Sequence, residues 1–388
     1  MTRFLGSITF IVLTFILTSA CSKREELLVE EIEKYREGEI NLALDDSTSL
    51  DFLRTSYLGK GDKEYLYHHN EFKKNIQVYD LERGLIDHEI SYPHIEPLGI
   101  KMVQGITVVS ADSIFLFPSL FIRGSLLINN QGEIISRYLP PKTPKREESI
   151  VNHSSFGSMP TLLLNRELRF IQLPLFEISN PANINDKFRF EVTYSIDSNS
   201  TSEIPESAFP EFYHNKIWAG HDIQLSRTIN KKNQIIYSWK YLDSLTVVAD
   251  GQSKSVYAKS DYITKEAVPF SMIPSSDQKT KYVIENTKYY GIYYDEFRDV
   301  YYRTVQLPGK YDINEIPKEM DALRDFSVIV LDSTFNKINE VRFPGGIYNI
   351  YRAFVGKRGF YLPKNNIMNP DLKEDILSID IFDFTAHE

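Results

Sequence analysis

From Asn41 to the C-terminus the sequence is built of short apolar or alternating segments, separated by Asp, Asn, Gly and Pro. Tyr65-Leu66-Tyr67, Ile76–Tyr79, Ile114–Phe117, Leu162–Leu164, Phe188–Val192, Ile235–Trp239, Ser327–Leu331 and Ile376–Phe384 are examples. Segments of this length bounded by turn formers are strands. The 3.6-residue period of a helix is not sustained after residue 41, except over Ile316–Leu323. The 24 Tyr and 24 Phe reinforce the reading, because aromatic side chains favour pleated, half-covered surfaces. The pattern predicts an all-β body.

One unit recurs within it: strand, turn rich in Asp, Asn or Gly, strand. Val78-Tyr79-Asp80 turns through Arg83-Gly84 into Leu85-Ile86, and Leu127-Ile128-Asn129 turns through Gln131-Gly132 into Ile134-Ile135. Val247-Val248-Ala249 turns through Asp250-Gly251, and Val330-Leu331-Asp332 through Asn336-Lys337. Asp and Asn side chains bond their own backbone and Gly supplies positive φ, so these are hairpins with a mechanism. Asp80 and Asn129 stand one four-stranded propeller blade apart in sequence. A body of roughly 350 residues at about 45–60 residues per blade predicts a β-propeller of six blades, with seven as the other count. The competing architecture is a pair of β-sandwiches divided in the polar stretch Ser195–Glu206. Within that stretch, Asp197–Ser202 reads as a loop, as does Lys142–Ser149.

The N-terminus carries an address. Arg3 is followed by an apolar run, Phe4–Leu17, too short to span a bilayer comfortably and closed by Thr18-Ser19-Ala20. The next residue, Cys21, is the only cysteine in 388 residues, so an internal disulfide and a multi-thiolate metal site are excluded. The segment resembles a bacterial lipoprotein signal, although Thr18 stands where an aliphatic residue is usual. It predicts a signal peptide over residues 1–20, lipidation of Cys21 and a membrane attached through that lipid. Residues 21–40 read as a charged tether. Leu28, Ile32 and Tyr35 recur in it at helical spacing, so a short helix and a disordered spacer are both compatible. The propeller then occupies residues 41–388. The expected location is the cell envelope, at the outer membrane, facing the periplasm or the cell surface.

The segment Tyr289–Arg303, Tyr-Tyr-Gly-Ile-Tyr-Tyr-Asp-Glu-Phe-Arg-Asp-Val-Tyr-Tyr-Arg, resembles a motif of the domain of unknown function 4221 family of Gram-negative lipoproteins. Val328–Asp332 is similar to the strand that follows that motif, and Gly359-Phe360-Tyr361 to the family's C-terminal signature. The resemblance implies a six-bladed propeller and an envelope location. It brings no catalytic residues.

Read physically, Tyr289–Arg303 is a hairpin. Asp295 and Arg298 sit at its turn, where a charge-assisted bond would pin it. Tyr301 and Tyr302 face opposite sides of the returning strand. One reading makes them, with Arg303, an aromatic platform for a ligand, since flat rings bind sugar faces well. The histidines give little: His68 and His69 are adjacent and would diverge in a strand, while His214 and His221, with Asp222, flank Trp218. Nucleophile-elbow, phosphate-loop, dinucleotide and EF-hand motifs do not occur, and no cofactor or metal is expected. The net charge of −9 argues against a nucleic-acid partner. The expected function is non-catalytic binding of a protein, peptide or glycan in the envelope. The alternative is a propeller enzyme acting on a glycan or peptide.

Overall fold

A computed structural model describes residues 30–95, 99–140, 152–155, 157–219 and 225–386. Cys21, the signal segment, the basic loop at 142–149, His221 and Asp222 lie outside the described residues. Among the described residues no helix is long and apolar enough to cross a membrane.

The strands form six antiparallel sheets, each a blade. The N-terminal strand β1 (Arg36–Ala43) belongs to the last blade. Blade 1 is β2 (Thr55–Lys60), β3 (Lys63–Asn70), β4 (Asn75–Asp80) and β5 (Leu85–Ser91). Blade 2 is β6 (Val103–Ser110), β7 (Ser113–Pro118), β8 (Ser125–Ile128) and β9 (Ile134–Tyr138). In blade 3 the inner position is shared by two short strands, β10 (His153–Ser154) and β11 (Leu162–Leu164), both paired with β12 (Glu167–Gln172). β13 (Glu191–Ser195) and β14 (Ser200–Glu203) complete it. Blade 4 is β15 (Leu225–Ile229), β16 (Ile235–Trp239), β17 (Ser244–Ala249) and β18 (Gln252–Tyr257). After helix α1 (Ser276–Glu285), blade 5 follows as β19 (Lys288–Asp295), β20 (Val300–Gln306), helix α2 (Pro317–Ala322), β21 (Phe326–Leu331) and β22 (Lys337–Phe343). Blade 6 is β23 (Phe354–Gly356), β24 (Gly359–Pro363) and β25 (Ile376–Phe382), with β1 as its outer strand.

The ring therefore closes by joining the two chain ends. β1 pairs with β25 from Arg36↔Phe382 to Ala43↔Ile376. The first strand of blade 1, β2, lies against β6 on one side and β23 on the other, which puts the first strands around the axis. Two glycines show the closure to be a true blade repeat. Gly132, in the turn of blade 2, has positive φ, and a Cβ there would meet the carbonyl of Ser91 on the outer strand of blade 1. Gly84, in the same turn of blade 1, has positive φ and meets the carbonyl of Asn41 on β1. β1 thus stands to blade 1 as β5 stands to blade 2.

The turns work as their chemistry requires. Asp80, Asn129, Asn230, Asp295 and Asp332 each accept two backbone N–H bonds from the turn that follows. The regular spacing fades after blade 2 because long connections intervene, notably 258–287 with α1 and 307–325 with α2. The strand work begins before residue 41: that boundary falls inside β1, and Ile32, in a helical turn at 30–33, is buried with Tyr302 and Phe384. The polar stretch 195–206 is not a domain boundary. Its centre is a hairpin turn, with Asn199 at positive φ, leading into the exposed outer strand β14.

Candidate functional site

Antiparallel alternation sends successive connections to opposite ends of the ring, and the two ends differ. One, here the turn face, carries only connections of two to five residues, such as 61–62, 111–112, 250–251 and 357–358. The other, the loop face, carries the long connections 173–190, 258–287, 307–325, 344–353 and 364–375 among the described residues. Function concentrates on loops held by a rigid scaffold. Exposed apolar side chains gather on the same face, among them Met272, Ile273, Ile313, Ile316, Leu323 and Ile367.

At the loop face the axis opens into a channel cavity of about 270 Å³. Its mouth is formed by Phe52 and Leu53 ahead of β2, and by Tyr351-Arg352-Ala353 ahead of β23. Ile106, Thr107, Pro160, Thr161 and Tyr293 line it further along. Arg352 spans the mouth to Asp51, with its Nε and Nη2 at 3.0 and 2.6 Å from the carboxylate. Tyr351 packs edge-on against Tyr290 at 4.5 Å and gives its hydroxyl to Asp321 at 2.5 Å. Asp321 also faces Arg324 at 3.1 Å and Lys288 at 3.7 Å. Burial raises its pKa, but Lys288, Tyr351 and Arg324 outweigh that and hold it below the ordinary carboxylate range. Burial, helped by the same Asp321 contact, drives the Tyr351 phenol well above its ordinary value. A smaller cavity of about 110 Å³ lies on the other side of Tyr351, beneath α2.

The residues singled out in the sequence lie elsewhere. Tyr301, Tyr302 and Arg303 are 1%, 0% and 0% exposed, so they present no platform to a ligand. The strand alternation is as expected, but β20 is covered on both faces by neighbouring blades. Tyr301 stacks on Phe335 and accepts a bond from Asn230 of blade 4. Tyr302 packs on Phe360 and Phe384 of blade 6 and donates to Asp295 at 2.9 Å. Arg303 lies over the ring of Tyr289 and donates to Ser238 and to the carbonyls of Leu242, Asp243 and Ala258. Complete burial pushes its guanidinium down to about 10.

Asp295 and Arg298 meet at 3.2 Å, and the contact extends beyond the hairpin. Arg298 also donates to the carbonyls of Lys357 and Arg358 and to Asp383 at 2.9 Å, all on blade 6. The pair is a rivet between blades 5 and 6. Arg303 does the same between blades 4 and 5, and Arg227 between 3 and 4, where it faces buried Glu191 at 2.7 Å and bonds the carbonyls of Pro160 and Arg169. Between blades 6 and 1, Glu64 accepts from Tyr57, Tyr361 and the Lys357 amide. Removing one member of such a buried set strands the others. Asp295→Ala is expected to lower unfolding free energy by about 3–5 kcal/mol. The cycle Asp295→Asn with Arg298→Gln is expected to show coupling of about 1–2 kcal/mol in urea unfolding. Zero coupling would remove the pair from the seam.

His214 donates from Nε2 to the Phe209 carbonyl at 2.7 Å, a loop-holding contact. No group of three or more His, Cys, Asp or Glu among the described residues is placed to hold a metal ion. The channel residues Tyr293, Tyr351 and Arg352 were missed by sequence reasoning. Tyr293 lay inside the motif, but nothing local distinguishes this channel-lining tyrosine from the seam tyrosine Tyr302 paired opposite it on β20.

A family model described as Domain of unknown function (DUF4221) matches residues 40–342, which include Tyr289–Arg303 and Val328–Asp332 but stop short of Gly359-Phe360-Tyr361. A crystal structure of a DUF4221 family member from Bacteroides vulgatus is 26% identical, with a TM-score of 0.78 over 90% of this chain and 97% of that one. A solved structure of a Bacteroides fragilis protein is 10% identical, with a TM-score of 0.51 over 89% of this chain and 94% of that one, and bears on the fold alone. Comparison with curated proteins returns no match. A family model that covers most of the chain, a structural neighbour from the same family along nearly its whole length, and six sheets closed by the N-terminal strand agree: the chain is a six-bladed β-propeller of the DUF4221 family.

Proposed function

We propose that this protein is a cell-envelope lipoprotein, anchored to the outer membrane through Cys21, whose propeller recognises a ligand at its loop face without transforming it. The observation that carries the reading is the asymmetry of the ring: long loops, exposed apolar side chains and the open channel mouth share one face, and the other has only tight turns. The titratable groups around the mouth are engaged with one another, Asp51 with Arg352 and Asp321 with Tyr351 and Arg324. That suits a preformed binding surface better than general acid–base work, which needs a group poised to exchange a proton. Protein, peptide and glycan ligands are all compatible with a broad mixed face. The strand order supports a simple orientation. β1 enters at the turn face, so a lipid on Cys21 would hold the loop face away from the bilayer.

The test uses photo-crosslinking side chains in intact cells, placed at Met272 or Ile313 on the loop face and at Asp62 or Asp250 on the turn face. Adducts are expected from the loop-face positions only. Cys21→Ala should abolish acyl labelling and release the adducts from the membrane fraction. Equal adducts from both faces, or equal labelling of wild type and Cys21→Ala, would overturn the reading.

A further inference from the structure

The channel contains one hydroxyl that the fold does not use. Tyr293 Oη is buried and has no hydrogen-bond partner among the described residues. An unpaired buried polar group costs free energy, so its retention calls for a partner from outside the chain or for water. The ring that carries it is held in place. A Cβ at Gly291 would meet the Tyr293 ring at 2.6 Å, so the glycine two residues earlier leaves room for the ring to lie along its own strand. Phe360 packs edge-on against its other side at 5.4 Å. Burial raises the phenol far above its ordinary value, so it remains a protonated donor at any working pH.

The rest of the lining defines what such a donor could meet. Arg352 is the only charged side chain among the described lining residues, and Asp51 holds it. An anion finds no free cation there, and a cation no free carboxylate. The remaining wall combines the hydroxyls of Thr55 and Ser56 with apolar surface from Ile106, Leu162 and Val355, while the Tyr351 hydroxyl is turned away to Asp321. The volume, about 270 Å³, far exceeds the roughly 10–15 Å³ that one water needs, and falls just under the lower end of small-molecule sites. A small neutral lining that mixes hydroxyl and apolar surface suits the hydroxyl edges and apolar faces of a sugar ring.

We propose that the channel binds one neutral sugar ring, free or at the end of a neutral glycan, with the Tyr293 hydroxyl as its buried hydrogen-bonding anchor. The proposal rests on the recognition reading above and names its ligand class. Arg352 and Asp51 close over the ring at the mouth, and the Phe354 and Tyr351 rings supply the apolar contact that sugar faces favour.

The test is calorimetric titration of the full chain, in a detergent without a sugar head group. The probes are glucose, galactose, mannose and N-acetylglucosamine, their disaccharides, glucuronate as the charged counterpart, and the tripeptide Ala-Gln-Ala. At least one neutral sugar is expected to bind. Preference for a disaccharide over its monosaccharide would assign a glycan end, and the reverse a free sugar. Tyr293→Phe should weaken that binding about fivefold to tenfold and leave the melting temperature unchanged or slightly raised, because the hydroxyl has no partner in the chain to lose. No binding by any neutral sugar, equal binding by Tyr293→Phe, or preference for glucuronate or the tripeptide would overturn the proposal. The crosslinking result from the loop face would stand in each of those cases, so the failures are separable.

Discussion

Ending the chain after Leu372 is expected to abolish the cooperative unfolding of the whole propeller, rather than to fray its last blade. The truncation removes β25, the strand that bonds β24 on one side and β1 on the other. It deletes Leu377, Ile379, Ile381, Phe382 and Phe384, each almost fully buried. Burying a side chain of this kind contributes about 1.5–3 kcal/mol, so five contribute roughly 8–15 kcal/mol, comparable to the total stability of an ordinary domain. Two further losses follow. β1 has no other strand to pair with, and Arg298 loses Asp383 at the seam with blade 5. Each blade is covered by its neighbours, so an opened ring also exposes sheet faces and edges on blades 1 and 5. Circular dichroism melting and size-exclusion chromatography decide the matter. A monomeric truncated protein that melts cooperatively within a few degrees of the full chain would show that the ring does not need its closing strand.

The closing strand was legible in the sequence because it depends on local signals. Ile376–Phe384 reads as a strand wherever it sits, and a propeller needs its two ends to meet. The turns were legible for the same reason: Asp80, Asn129 and Asp332 bond amides within four residues of themselves. The seams were not legible. Arg298 reaches residues 59 to 85 positions away, and Arg303 reaches 45 to 65, and no period announces such partners. The misreading of Tyr301 and Tyr302 has one physical cause. Alternation correctly places them on opposite faces of β20, but in a propeller both faces of a central strand are interior. Helix α1 was missed although it carries a local signal, the capping box in which Ser275 and Gln278 bond each other's backbone amides. The channel site depends on six first strands converging on an axis, which only the closed ring creates.

Acid should loosen this protein well before its carboxylates titrate. Three buried histidines lie at the loop-face ends of their strands: His68 and His69 near the end of β3, and His153 at the start of β10. His68 stacks on Phe52 at 4.0 Å, and burial, with help from His69 and Arg54, lowers its pKa from about 6.5 to about 3. His69 contacts the Tyr92 hydroxyl at 2.7 Å, and burial with Arg54 lowers it to about 4. His153 must donate from Nε2 to the Pro118 carbonyl at 2.7 Å, which leaves Nδ1 to accept from Ser155, and burial lowers it to about 4. The folded protein keeps all three neutral while the unfolded chain binds protons below pH 6.5. Their contribution is therefore complete above pH 6.5 and is lost as the pH falls toward 4. At pH 5 the loss is about 2 kcal/mol for each histidine, roughly 6 kcal/mol together if they act independently. For a chain of this size that corresponds to a fall in melting temperature on the order of 10 °C. The seam carboxylates do not mask the effect. Burial raises Glu191 and Asp383, but Arg227 and Arg169 for the first, and Arg298 for the second, outweigh it and keep both charged through this window. Melting temperature measured from pH 7 to pH 4.5 should fall mainly below 6.5, and each histidine replaced by glutamine should remove about a third of that fall. A profile that is flat to pH 4.5, or that keeps its slope in the triple variant, would place the acid sensitivity elsewhere.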